Sequence, residues 1–293
     1  MTPNLKTWLA AARPKTLWAS VAPVIIGTAM AYSDGGGHLL SALAALFGAV
    51  MIQIGTNFAN DYSDHAMGTD TGERLGPLRV TAAGLVTPQA MKRATIIVFG
   101  LAVLAGCYLV VRGGLPILLI GIFSILFGVL YTAGPFPLGY NGLGDIFVLI
   151  FFGFVPVWGT HYVQTLEPAV TPLVAGVPPG MFSVAILTVN NLRDIDGDRA
   201  AGKRTLAARF GRTFARTEYV ACLIVAASTP ILLVLVGTAP VPALLSLLFV
   251  PVSIPTVRAV LTRTDGPSLN NALAATGKLL LVYSLLFSIG WLL

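Results

Sequence analysis

Charge is what this chain has least of. Only 10% of its 293 residues are Asp, Glu, Lys or Arg, against about 25% in an average soluble protein, and 56% are apolar. Too few polar side chains remain to cover a water-exposed surface, which excludes an ordinary soluble globular protein. Cysteine and histidine are nearly as scarce, at two and three residues. Cys107 and Cys222 lie inside apolar runs without metal-ligand spacing, so they support neither a thiolate metal site nor a disulfide framework. His38, His65 and His161 have no partner at a useful spacing, which removes support for zinc chemistry and for Ser/His/Asp catalysis. Gly197 and Lys203 fall where a phosphate-binding loop would have them, but Arg204 follows where Ser or Thr is required and no strand precedes.

Long hydrophobic runs are what the chain does have. They fall at about 17–33, 38–58, 90–111, 115–132, 144–163, 174–192, 214–236, 241–261 and 271–292. Each is long enough, or nearly so, to cross a bilayer, and the pattern predicts an all-α polytopic membrane protein with nine transmembrane helices. The whole chain, 1–293, reads as one domain. When its connections are assigned alternately to two sides, 17 of the 18 basic residues fall on one side and only Arg112 on the other. Lys and Arg collect in cytoplasmic connections, so this places the N-terminus in the cytoplasm and the C-terminus outside. The same rule accounts for the net charge of +6 without nucleic acid as a partner. Residues 17–31, with Ala29-Met30-Ala31 at their end, resemble a secretory signal, but the run continues through Tyr32 and reads as an uncleaved first helix.

Acidic residues are distributed just as unevenly. Eight of twelve sit in two cytoplasmic connections: Asp61, Asp64, Asp70 and Glu73 after the second run, and Asp194, Asp196, Asp198 and Glu218 after the sixth. In Asn57-Phe-Ala-Asn60-Asp61-Tyr-Ser-Asp64 the spacing of four puts Asn60 and Asp64 on one helix face, with Asn57 and Asp61 in the neighbouring column. In Asn190-Asn191-Leu-Arg193-Asp194-Ile-Asp196-Gly-Asp198 the pair Asp194 and Asp198 repeats that spacing. The two motifs are offset by 134 residues, or four helices, which suggests a duplicated four-helix unit. Acids at helix ends are commonly solvated interface residues. Two matched clusters continuous with apolar helices are better explained by function, because ionisable groups in a span cost roughly 2.5–3.5 kcal/mol each on insertion scales.

Oxygen donors without His or Cys suit Mg²⁺, which takes one or two carboxylates, waters and substrate phosphates. A diphosphate held through metal keeps negative charge that Arg74, Arg79, Arg193, Lys203 and Arg204 could neutralise. Diphosphate departure is therefore the chemistry expected, with Asp61, Asp64, Asp194 and Asp198 as the catalytic carboxylates. The segment from Tyr131 to Asp145 is rich in Gly, Pro and aromatic residues and has no Lys or Arg. It reads either as a helix-breaking hairpin or as a wall of an acceptor pocket containing Tyr131, Tyr140 and Asp145, with Asn57 and His65 nearby.

These motifs resemble the UbiA superfamily of intramembrane aromatic prenyltransferases, which carries an Asn-x-x-x-Asp motif and a later Asp-x-x-x-Asp motif. Asn60, Asp64 and Asp70 match the first by position and Asn191, Asp194 and Asp198 the second, and the resemblance implies that these six are the metal ligands. Asp61 belongs to the same string. Further strings extend the likeness along most of the chain: Ala11–Leu17, Arg74–Arg79, Tyr140–Asp145, Phe151–Gly153 and Ala201–Leu206. They point to the naphthoate branch, the bacterial 1,4-dihydroxy-2-naphthoate polyprenyltransferases of menaquinone synthesis. The resemblance implies a nine-helix bundle around a central cavity, in a bacterial plasma membrane. It implies Mg²⁺ as cofactor, with an isoprenyl diphosphate, an aromatic acceptor and the lipid bilayer as partners. It also implies loss of diphosphate and CO₂, giving a demethylmenaquinone-type product. One departure is Phe136, where relatives carry Lys or Arg; Lys203, Arg204 and Arg79 are the candidate substitutes. Acceptors of sister branches, 4-hydroxybenzoate or homogentisate, stay open at this point, as does a secondary transporter. A transporter would normally place its acids near the bilayer midplane.

Overall fold

A backbone that crosses hydrocarbon must satisfy its own hydrogen bonds, and this chain does so with helices alone among the described residues. The computed structural model describes residues 3–68, 76 and 78–293. A short helix α1, Leu5–Ala12, is capped by Asn4, whose side chain accepts from the Thr7 amide. It ends at Arg13 in the left-handed conformation, and with the following turn it meets α2, Trp18–Ser33, at 53°. Then come α3, Leu39–Ala66, α4, Pro88–Leu130, and α5, Gly144–Thr165. The bundle closes with α6, Thr171–Ala200, α7, Leu206–Leu235, α8, Val241–Thr262, and α9, Gly266–Leu292.

Helix α4 has 43 residues, about 64 Å at helical rise and twice a hydrocarbon core. The length is explained by Gly114, whose φ of 66° and ψ of −149° reverse the chain just before Pro116. Packing against α3 traces the reversal. Phe99 lies against Gly55 and Tyr108 bonds Ser41, after which Gly128 returns to Thr56 and Thr132 to Asn60. Residues 88–113 and 115–130 are therefore two crossings. Seven long apolar helices and the bent α1–α2 pair, with α4 counted twice, make nine crossings among the described residues. This matches the nine runs and the all-α class expected from the sequence.

Pairing of the remaining helices relies on aromatic packing and on close backbone approach. Phe182, Phe249, Tyr283, Phe287 and Trp291 form a chain of ring contacts joining α6, α8 and α9. Helices α5 and α6 cross so closely that a Cβ on Gly153 would stand 2.5 Å from the Gly176 carbonyl oxygen. The outer wall is different in kind. Ile96, Ile97, Leu104 and Val111 of α4 are all exposed, as befits side chains facing lipid.

Candidate active site

Both Asn/Asp motifs are helical and sit at the end of the bundle that carries most of the basic residues. The last turns of α3 and α6 face one apolar cavity of about 1070 Å³. Asn57, Asn60 and Asp64 line it from α3, and Asn190, Asn191, Asp194 and Asp198 from α6. Arg79, Tyr131, Tyr140 and Lys203 complete this polar mouth. Below it the wall turns to apolar and small residues, among them Ala45, Gly48, Gly106, Ile122 and Gly159. From Asp64 to Ala45 along α3 is a depth of about 28 Å, close to the full thickness of a bilayer core.

Each carboxylate at the mouth is held by a cation or a hydroxyl. Asp64 is 1% exposed; Arg79 donates to one of its oxygens and the Tyr140 hydroxyl to the other. Asp194 accepts from Nε and Nη2 of Arg193 at 2.8 and 2.5 Å. Arg193 is further fixed by Asn190 Oδ1 at 2.8 Å and Asn270 Oδ1 at 2.6 Å. Asp198 accepts from the Thr205 hydroxyl at 3.5 Å. Asn60 accepts from Thr132 at 2.7 Å, while Asn57 donates to the Ala12 carbonyl at 2.9 Å and so ties α3 to α1.

Tyr140 joins the two sides. Its hydroxyl reaches Asp64, its ring lies 4.2 Å beneath the Lys203 ammonium, and its carbonyl accepts from the Arg204 amide at 2.7 Å. Tyr131, just beyond α4, has its phenol pushed above the ordinary tyrosine range, first by burial and then by the carboxylates of Asp145 and Asp198. It remains a hydrogen-bond donor at neutral pH.

Several expected residues lie elsewhere. Asp61, expected among the catalytic carboxylates, does not line the cavity. It is 1% exposed, and its two oxygens accept from the backbone amides of Val80 at 3.1 Å and Thr81 at 3.0 Å. Arg193 and Arg204 are also absent from the wall, Arg193 because it is turned onto Asp194. His65 is exposed outside the cavity, and Asp145, half-buried, does not line it; its Oδ1 is buried without a hydrogen-bond partner among the described residues. Asp70 and Arg74 fall outside the described residues. Conversely, Asn270, Thr132, Arg13 and Lys15 take part in the mouth or its support, and the sequence reading missed them as site residues. For Asn270 a signal existed: two adjacent asparagines, Asn270 and Asn271, interrupt the start of an apolar helix.

The donors suit a hard cation, being carboxylate and amide oxygens on opposite sides of one mouth. They are not gathered into a single cage: no three acids or histidines among the described residues cluster as metal ligands. A cation there would depend on a second anionic partner, such as a phosphate, to complete its shell.

Known proteins are similar to this chain in sequence and in fold. The chain is 40% identical over 97% of its length, and 94% of the relative's, to the 1,4-dihydroxy-2-naphthoate octaprenyltransferase of Escherichia coli K12. Its fold is similar to the apo structure of a UbiA homolog from Aeropyrum pernix K1, with a TM-score of 0.74, 15% identity and coverage of 94% and 98% of the two chains. It is also similar to a UbiA homolog from Archaeoglobus fulgidus solved with DMAPP and Mg²⁺, with a TM-score of 0.67, 13% identity and coverage of 97% and 99%. The model of the UbiA prenyltransferase family matches residues 20–291, which include both motif-bearing helix ends and most of the residues lining the cavity between them, and the chain belongs to that family.

Proposed function

We propose that this protein transfers a polyprenyl group from an isoprenyl diphosphate to 1,4-dihydroxy-2-naphthoate, with release of diphosphate and CO₂, at the cytoplasmic face of a bacterial plasma membrane. The observation that carries the reading is the cavity. A polar mouth built from two Asn/Asp helix ends opens onto an apolar interior that runs nearly the depth of a bilayer, in a chain 40% identical to a naphthoate octaprenyltransferase. The mouth suits a diphosphate and the interior suits its tail.

Asn60, Asp64, Asn191, Asp194 and Asp198, with Asp70, are the residues that would hold Mg²⁺. The chemistry that Mg²⁺ supplies when bound is neutralisation of charge on the leaving diphosphate. Lys203 and Arg79 line the same mouth and offset what charge remains. The allylic C–O bond breaks with its electron pair on the diphosphate, and Tyr131, Phe147, Phe151 and the apolar wall keep water from the resulting allylic cation. The ring carbon bearing the carboxylate attacks it, forming the new C–C bond. Loss of CO₂ returns the electron pair to the ring. The basic end of the bundle faces the cytoplasm on this reading, as the distribution of Lys and Arg requires.

Incubating membranes that contain the protein with naphthoate, a polyprenyl diphosphate and Mg²⁺ should give the prenylated, decarboxylated product. Chelation by EDTA should abolish it. Asp64→Asn and Asp198→Asn, shown to be folded, should each lower turnover by about 100-fold or more, the scale of losing one charge-stabilising group. Unchanged turnover in either variant would overturn the proposed metal site. Product formed only with 4-hydroxybenzoate or homogentisate would overturn the acceptor.

A further inference from the structure

Asp61 sits one turn before Asp64 on α3, inside the motif that lines the cavity, yet its carboxylate faces away from it. Both of its oxygens are occupied by backbone amides, those of Val80 and Thr81. The residue immediately before that pair is Arg79, whose guanidinium is paired with Asp64. Segment 79–81 is thus docked on the end of α3 by two aspartates, one gripping its backbone and the other its side chain.

Hydrogen bonds within the next few residues make the docking firm. The Ala83 amide bonds the Arg79 carbonyl at 2.9 Å, Gly84 bonds Thr81 at 3.0 Å and Leu85 bonds Val80 at 2.9 Å, which folds 79–85 into a closed turn. Val80 and Val86, 0% and 1% exposed, anchor that turn in a small apolar cluster with Ala11, Phe58 and Met91. A carboxylate is the side chain that can accept from two consecutive amides with charge-assisted bonds. An asparagine has one acceptor oxygen, and it would turn an NH₂ donor against the other amide.

We infer that Asp61 is a positioning residue, whose carboxylate holds the backbone at Val80 and Thr81 so that Arg79 is presented to Asp64 and to the diphosphate at the mouth. This rests on the reading of the mouth as a diphosphate site. Asp61 acts through Arg79 and touches neither metal nor substrate.

The test is a double-mutant cycle in the full-length protein in detergent or nanodiscs. Asp61→Asn should weaken binding of a non-reactive prenyl thiodiphosphate by roughly tenfold, the effect of losing one charge-assisted hydrogen bond. Arg79→Met should do at least as much. The double variant should bind no more weakly than Arg79→Met alone, because two residues in one chain of action are not additive. Without metal or substrate, hydrogen exchange across 79–86 should be faster in Asp61→Asn than in the wild type. If Asp61→Asn fails to fold, a backbone ester at position 81, introduced by nonsense suppression, removes one of the gripped amides and should reproduce the loss. Additive losses, or unchanged exchange in 79–86, would overturn the inference and leave the diphosphate site standing. A wild-type protein that does not bind the thiodiphosphate would overturn the site reading instead.

Discussion

Arg193 illustrates how a basic residue in this chain can serve structure and site together. It is 3% exposed, chelates Asp194 with two nitrogens, and reaches Asn190 and Asn270 with the rest of its fork. Lysine carries the charge but has neither the planar fork nor the reach to engage three partners. Arg193→Lys should therefore cost about 1.5–3 kcal/mol, or roughly 10- to 150-fold in kcat/KM, which steady-state assays on folded protein will measure. The fork also explains why the cations are only partly legible in the sequence. Arg79, Arg193, Lys203 and Arg204 read alike as spacing, but whether each turns toward the cavity or onto a neighbour depends on partners such as Asn270, 77 residues away in the chain.

At the scale of elements, the hydrophobic runs and breakers carry most of the information. The reversal inside α4 is legible as Gly113-Gly114-Leu-Pro116 between two apolar runs, and the structure turns there at Gly114. Helix α1 is not, because eight residues are too few to make a span of their own. Contacts between loops and helix ends are equally invisible: Asp61 with Val80 and Tyr140 with Arg204 link segments whose proximity only the folded bundle creates. Close helix approach gives a direct prediction. Gly153→Ala would press a methyl group to 2.5 Å from the Gly176 oxygen and 2.9 Å from Gly180 Cα, both backbone atoms. It should destabilise the protein by about 1–3 kcal/mol, visible as a lower Tm in detergent.

For the whole molecule, the sparse charge predicts an orientation in the membrane, and it can be measured. In a variant lacking Cys107 and Cys222, a cysteine introduced at Gly202, at the basic end, should react with an impermeant maleimide only when the cytoplasmic face is accessible. One introduced at Thr238, in the turn between α7 and α8, should react from outside. Reversed labelling would remove the cytoplasmic assignment of the mouth while leaving the bundle intact.

Helix α4 closes one side of the cavity with residues such as Val103, Val110, Leu118 and Ile122, and its opposite face meets lipid. The barrier between the apolar interior and the bilayer is thus a single layer of helix. Hydrocarbon on the two sides of such a partition sits in media of equal polarity, because acyl chains are as apolar as leucine. A long tail crossing between them carries no transfer penalty, and only the head that it bears has to be drawn away from the charged mouth.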